Sequence, residues 1–351
     1  MRINRTYIGL LSFLAMIAIA VSNISFDIWN SIQINEPLWN VYGILSVCTQ
    51  WGIPLLVSLM GILYLSTDMP FSTNTVYKKL FPPAAVACVF WWVINALIYQ
   101  RTNFATELDW DTFLECMGTV LYEPYNMFLL QLFTMLIAFY PLLIRIVRDR
   151  KLLLYAVIAT FTISMFVPML EFVPYVRYIN LFANQINWNF FTSYGFYVFL
   201  GIWILKTEFQ WHYRIVAYCS GIFSTVVMLS LTKIVSCVSV DIDTRFVGLN
   251  SPFIAFQVLA IIVLVKQIFN NYSNNKLIRA VFALFCKNIY GFIALYSIIN
   301  GIVTQKFGEN IVIVSLISVL ITNIVSVLLR RLPLTSFLLC ENNLWGTGYE
   351  N

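Results

Sequence analysis

Residues 41–66 read VYGILSVCTQWGIPLLVSLMGILYLS, with no charged side chain in the run. A helix that crosses a bilayer needs roughly 20 mostly apolar residues. This stretch is long enough, and its centre, Gln50-Trp51-Gly52-Ile53-Pro54, marks where the helix must yield. Proline removes a donor and frees a carbonyl one turn back, and glycine lets two helices approach closely. In hydrocarbon no water meets a freed backbone group, so protein neighbours or a lined cavity must do so. The stretch therefore predicts either a closely packed span or a broken helix beside a cavity.

The rest of the chain repeats the signal. Hydrophobic residues make up 60%, aromatic residues 17% and charged residues only 11% of 351 residues. The mean hydropathy is +0.81. A soluble domain carries about 25% charge, so lipid must be the solvent for much of this surface. About ten spans are expected by the length rule, near 7–24, 41–66, 80–99, 125–146, 152–170, 190–205, 215–233, 252–267, 288–304 and 311–329. The fold class is thus an all-α polytopic membrane protein. Residues 1–335 read as one membrane domain, without linker or internal repeat, and 336–351 as a short tail. The first span has no small-residue cleavage site before the polar loop at 25–40 and reads as retained.

Charge orients the spans. Lys and Arg collect on cytoplasmic loops. With the N-terminus inside, 16 of the 21 Lys and Arg fall inside and 5 outside, while 11 of the 16 Asp and Glu fall outside. An even number of spans, with both ends cytoplasmic, follows. The net charge of +5 is then a dipole across the membrane rather than a nucleic-acid patch. Residues 276–287, apolar with basic ends, read as a segment lying along the inner interface. The Asn271-Tyr272-Ser273 triplet falls on the cytoplasmic side and is not a glycosylation site there.

Catalytic motifs are few. There is no P-loop, dinucleotide fingerprint, HExxH helix or GxSxG elbow. His212 is the only histidine, which excludes a multi-histidine metal site, and the seven cysteines show no metal spacing. Cys116 and Cys237 both fall in outside loops, which admits a disulfide between them. His212 sits in the cytoplasmic run Trp211-His212-Tyr213-Arg214, where an interfacial belt accounts for it. Lys78 and Lys79, just before Pro82-Pro83, make a basic spot at the inner surface. It serves either as an anchor or as a binding site for a phosphorylated carrier. The acidic, aromatic loop at 100–124 suits either sugar binding or plain solvation. Glu123 in it abuts the fourth span. Gln50 and Gln131 are the intramembrane polar residues best placed to line a central cavity.

Taken in order, these segments resemble the acyltransferase-3 superfamily of bacterial integral-membrane O-acyltransferases, in its surface-polysaccharide branch. Trp51-Gly52-Ile53-Pro54-Leu55 with Met60-Gly61 resembles the family's VPLF…SG stretch. Lys78-Lys79 before Pro83 resembles its basic motif. Tyr125-Asn126-Met127-Phe128-Leu129 resembles HLWFL, Tyr290–Tyr296 resembles FGIYLIH, and Arg330-Arg331-Leu332-Pro333 resembles the closing basic-proline element. The resemblance implies acyl transfer, with acyl-CoA (acetyl-CoA first) as cytoplasmic donor and no metal. Its acceptor would be an envelope polysaccharide or lipid-linked sugar, in the bacterial inner membrane. The partners it implies are membrane lipid and glycosyltransferases of the same pathway, with no nucleic acid.

The departures fall at the chemistry. The family's first span carries a basic residue and, eleven positions on, an essential histidine; here Ser12 and Asn23 stand there. Asn126 and Tyr296 occupy two further places where the family often has histidine. Asparagine does not titrate and cannot act as a base. Asn23 and Glu123 are therefore the catalytic candidates, Lys78 and Lys79 the donor-binding ones. Gln50, Asn126, Gln131 and Tyr296 are candidates for the substrate path. A non-catalytic partner in glycan translocation or assembly is the alternative, and a small-solute transporter a third, with no mid-span acidic residue to support it.

Overall fold

The computed structural model describes residues 5–34, 36–65, 72–103, 109–122, 127–169, 189–239, 242–270, 276–308 and 310–339. They are helical throughout, with no strand among them. Seven helices are long and apolar enough to cross a membrane alone, and two more qualify if each bent pair is one span. The chain is a multi-pass membrane protein. Against the expectation of about ten spans, the described residues supply seven to nine candidates. The segment at 190–205 is helical, but Tyr194–Lys206 falls among the shorter apolar helices. The segments at 125–146 and 288–304 qualify only as parts of bent pairs.

The contacts divide the chain into two compact units, Met1–Asp68 with Arg145–Cys286, and Met69–Ile144 with Lys287–Asn351. In the first unit, α1 (Arg5–Ser31) packs on α2 (Pro37–Thr49) and α3 (Gly52–Leu65). The second span is thus two helices. Pro54 has no N–H to give the Gln50 carbonyl one turn back, and its ring crowds that carbonyl, so the helix breaks at Gln50-Trp51. It resumes with the Leu55 N–H donating to the Trp51 carbonyl at 2.9 Å.

Every residue of α3 except Tyr64 is buried. Its partner is α9 (Asn189–Lys206), which packs in turn on α8 (Arg150–Phe161). Small residues set this approach. A Cβ on Gly61 would come within 2.7 Å of the Val198 carbonyl oxygen, and one on Gly201 within 2.6 Å of that of Ser58. Neither distance is one a side chain can hold, so glycine is required on both helices.

The unit closes with α10 (Trp211–Ser239) on α11 (Pro252–Asn270), while α1 touches α11 and α10 touches α2. Lysines tie off one end. The Lys266 ammonium donates to the carbonyls of Ile204 (2.9 Å), Leu205 (3.1 Å) and Thr207 (2.9 Å), and Lys206 donates to that of Val147 (2.7 Å). The first three carbonyls lie at the C-terminal end of α9, where positive charge is favoured. Past the far end of α10, Arg245 pairs with Asp243. The hydrogen bonds from Arg245 hold the Asp243 carboxyl below the usual carboxylate range. The segment at 276–287 forms a helix, α12 (Lys276–Lys287). The described cysteines, Cys116 and Cys237 among them, are free thiols, so the admitted disulfide is not formed.

In the second unit a short turn, Thr73–Thr75, runs through a π-helical turn, Val76–Leu80, into α4 (Phe81–Asn103). Two indoles on α4 hold its neighbours. Trp92 donates to the Met117 carbonyl of α5 (Trp110–Tyr122) at 2.9 Å. Trp91 donates to that of Leu338 on a short helix near the C-terminus at 3.2 Å. Next come α6 (Met127–Ala138) and α7 (Tyr140–Arg148), bent by 73°. Pro141 explains the bend, since its missing N–H leaves the Ile137 carbonyl unmet; Leu142 and Leu143 donate instead to Phe139. The last long pair is α13 (Ile289–Phe307) on α14 (Ile311–Leu329). Asn288 donates to the Asn323 side chain at 3.0 Å, and Ser318 donates to Asn300 at 3.1 Å.

Candidate functional site

The eight candidates fall into both units. In the first, Asn23 is half-buried on α1. Ser12, at the position of the family's basic residue, is fully buried, and its hydroxyl donates to the Ile8 carbonyl one turn back at 2.9 Å. α1 therefore offers neither cation nor base at these two places. Gln50 is 8% exposed at the break between α2 and α3, with its amide 3.4 Å from the Ser46 hydroxyl. That distance is near the limit of a hydrogen bond. Beside it the Trp51 indole donates to the Cys48 carbonyl at 2.6 Å. Gly52 lies against α1, where an added Cβ would come within 2.8 Å of the Ile19 nitrogen. The break thus sits directly on the helix that carries Asn23.

In the second unit Lys78 and Lys79 are both exposed on the π-helical turn. Neither has an ion-pair partner among the described residues. π turns interrupt α-helices chiefly at functional positions, and this one carries both cations at the head of α4. Gln131 is half-buried on α6. The Thr134 hydroxyl donates to the Leu130 carbonyl at 2.9 Å and lies 3.5 Å from that of Ala84 on α4. Gln131 is three residues from Thr134 and so on the same side of α6, the side that meets α4. Phe133 is turned to α13, its ring 4.9 Å from that of Tyr290. Tyr296 is buried, its ring stacked on Phe292 at 4.8 Å. The lysines and Gln131 therefore share the α4 side of this unit, with the amide roughly two turns above the cations. Glu123 and Asn126 lie outside the described residues, as do Glu107 and the triplet at 271–273.

A different cluster had no motif to announce it. Trp29 near the end of α1 and Trp39 near the start of α2 are 1% and 2% exposed, with rings 5.4 Å apart. They line a cavity of about 210 Å³ together with Gly43, Thr232 and Lys233. None of the eight candidates lines it. The one sequence signal is a pair of tryptophans flanking the polar loop after the first span, which hydropathy assigns to an interfacial belt. Among the described residues no group of histidine, cysteine and carboxylate side chains is arranged to hold a metal. Comparison of the chain with known protein families, with curated proteins and with solved structures finds no match.

Proposed function

We propose that the chain handles acyl groups at the cell envelope, drawing on acyl-CoA, acetyl-CoA first, from the cytoplasmic side. The acceptor is a hydroxyl of an envelope polysaccharide or lipid-linked sugar. The membrane is the bacterial inner membrane, with both termini cytoplasmic, as the 16-to-5 split of Lys and Arg favours. The observation that carries the reading is the broken second span. Irregular backbone at membrane depth is tolerated where protein covers it or where it lines a path, and this break holds a buried amide, Gln50, two residues from Gly52, which abuts α1. In the other unit, the exposed lysines of the π turn offer the phosphates of the donor a docking point.

The chemistry is an acyl transfer. The sugar oxygen attacks the thioester carbonyl as a base takes the hydroxyl proton, the carbon–sulfur bond breaks, and the base returns that proton to the departing thiolate, which leaves as the thiol. Asn23 cannot take that proton. Glu123 is the carboxylate proposed for the role, with Asn126, Gln131 and Tyr296 along the path. A second reading has a specific observation behind it. With the Ser12 hydroxyl directed to its own helix and Asn23 in the histidine's place, α1 holds no acid–base pair. A chain without catalysis would serve glycan translocation or assembly.

Acetyl-CoA consumption by membranes supplied with envelope glycan separates the two. Catalysis predicts turnover that falls about 10²–10⁴-fold in Glu123→Gln, the usual worth of a positioned base, and about tenfold or more in donor affinity when Lys78 and Lys79 become Ala. Asn23→His then tests the family pattern alone. An Arg at position 12 would overpack a fully buried site and would confound the result. No turnover in wild type or in Asn23→His selects the non-catalytic reading.

A further inference from the structure

The cavity between α1, α2 and α10 has a chemistry that neither packing nor an aromatic belt explains. The indole nitrogens of Trp29 and Trp39 and the hydroxyl of Thr232 are buried and meet no hydrogen-bonding partner among the described residues. Buried tryptophan N–H groups almost always find an acceptor. Tryptophans of a membrane belt keep theirs at the wet headgroup level, whereas these two are 1% and 2% exposed. The Lys233 ammonium stands at the rim, exposed and without an ion pair among the described residues. No carboxylate lines the cavity. The nearest along α1, Asp27, is two residues from Trp29 and so roughly 200° around the helix. Two indole donors, a hydroxyl and an ammonium make a set that wants an anionic acceptor.

Size and surroundings narrow the ligand. One ordered water needs about 10–15 Å³, far less than the 210 Å³ here. The remaining wall is aliphatic, with Ile44, Val47 and Leu229. Ile44 is half exposed, and so is Val226 one turn along α10. In a bilayer these faces meet hydrocarbon, so the cavity opens sideways to lipid.

We propose that this cavity is a lipid site that takes the phosphate of an anionic phospholipid, with its chains along Ile44, Val47 and Leu229. Lys233 meets the phosphate charge, and Thr232 with the two indoles donates to its oxygens after a small inward shift. Gly43 leaves room for this, since a Cβ there would come within 3.0 Å of the Trp29 indole nitrogen. The proposal does not rest on the transfer chemistry above and stands whether or not the chain turns over acetyl-CoA.

The full chain in a neutral detergent is titrated with phosphatidylglycerol, with diacylglycerol of the same chains, and with inorganic phosphate, and the unfolding temperature is followed. Phosphatidylglycerol should raise it saturably. Lys233→Met should weaken the apparent Kd about tenfold, and Thr232→Val should weaken it by a smaller factor. Lys306→Met, which removes an exposed cation in the other unit, should leave it unchanged. Lys233 is exposed, so its variant should unfold at the wild-type temperature without lipid, which separates a binding defect from a folding one. An equal rise with diacylglycerol would reduce the site to an apolar groove and overturn the proposal. A saturable rise with inorganic phosphate that Lys233→Met abolishes would assign the cavity to a soluble phosphoryl compound and overturn the lipid. No response to phosphatidylglycerol in wild type would overturn it outright.

Discussion

Helices α3 and α10 both belong to segments long and apolar enough to cross a membrane, yet one lies inside protein and the other bares one side to lipid. Only Tyr64 of α3 escapes burial, whereas Ile222, Phe223 and Val238 of α10 are exposed by 68%, 68% and 80%. A lipid chain is as apolar as leucine, so hydropathy cannot sort an inward face from an outward one. What differs is how many sides are packed. α3 lies among α1, α9 and α11, whereas α10 packs on α11 and α2 and leaves its other side bare. α3 meets α9 through Ser58, Gly61 and Gly201 at separations no larger side chain would permit, and Gly221 of α10 meets Ala260 of α11 as closely. Small residues let a helix be approached; the number of neighbours decides whether it is enclosed.

The heaviest blow to this contrast is Gly61→Leu. Its Cβ would meet the Val198 carbonyl at 2.7 Å, forcing α3 and α9 apart. A loss of more than about 3 kcal/mol is expected, at or beyond the usual cost of overpacking. The measurement is unfolding in mild detergent, with Gly61→Ala as the milder step. A variant as stable as wild type would show that the close approach of α9 is not what keeps α3 enclosed.

Lys266→Met comes next. It leaves three carbonyls at the end of α9 without their shared donor, for an expected loss of about 1.5–3 kcal/mol. Arg at that position should restore part of it. If Met is neutral, the packing of α9 on α3 is held by contact alone and the ammonium is incidental.

Asn323→Leu should matter less. The Asn288–Asn323 bond at 3.0 Å joins two helices in the membrane, where such bonds average about 0.6 kcal/mol and reach about 1.7. A double-mutant cycle with Asn288→Ala measures the coupling. A value well above 2 kcal/mol would show that polar contacts outrank small-residue packing in the second unit. Phe223→Ala, on the lipid face of α10, should change stability by less than about 0.5 kcal/mol. A core-sized loss there would mean that another protein surface covers the face.

Much of this was written in the residues. Each of the ten apolar segments is mostly helical over its described residues, and Pro54 marks the break in the second one. The same rule applied to Phe139-Tyr140-Pro141 divides the segment at 125–146. Bending leaves two of the ten segments qualifying only as parts of pairs, and 190–205 qualifies only as a shorter apolar helix among the described residues. The candidate residues were legible as types but not as environments. Ser12 and Lys78 look alike as polar residues at span ends, yet one is fully buried and bonded to its own helix and the other is exposed. The Trp29–Trp39 pair was invisible for another reason. Hydropathy assigns both rings to the interface, and only the approach of α10 beside α2 encloses them.

The fit of α3 against α9 has a consequence for synthesis. Gly61 leaves the ribosome long before Gly201, and at about 5–20 residues per second the gap is roughly 7–28 s. Through that interval α3 has only α1 and α2 beside it. The groove left for α9 must be filled by lipid chains or by the insertion machinery. A helix with a broken entry and a small-residue face is a poor resident of bare lipid. The newborn first unit therefore passes through a vulnerable half-built stage, and slowing elongation between the codons for Gly61 and Gly201 should lower the yield of inserted protein more than the same delay placed after Gly201.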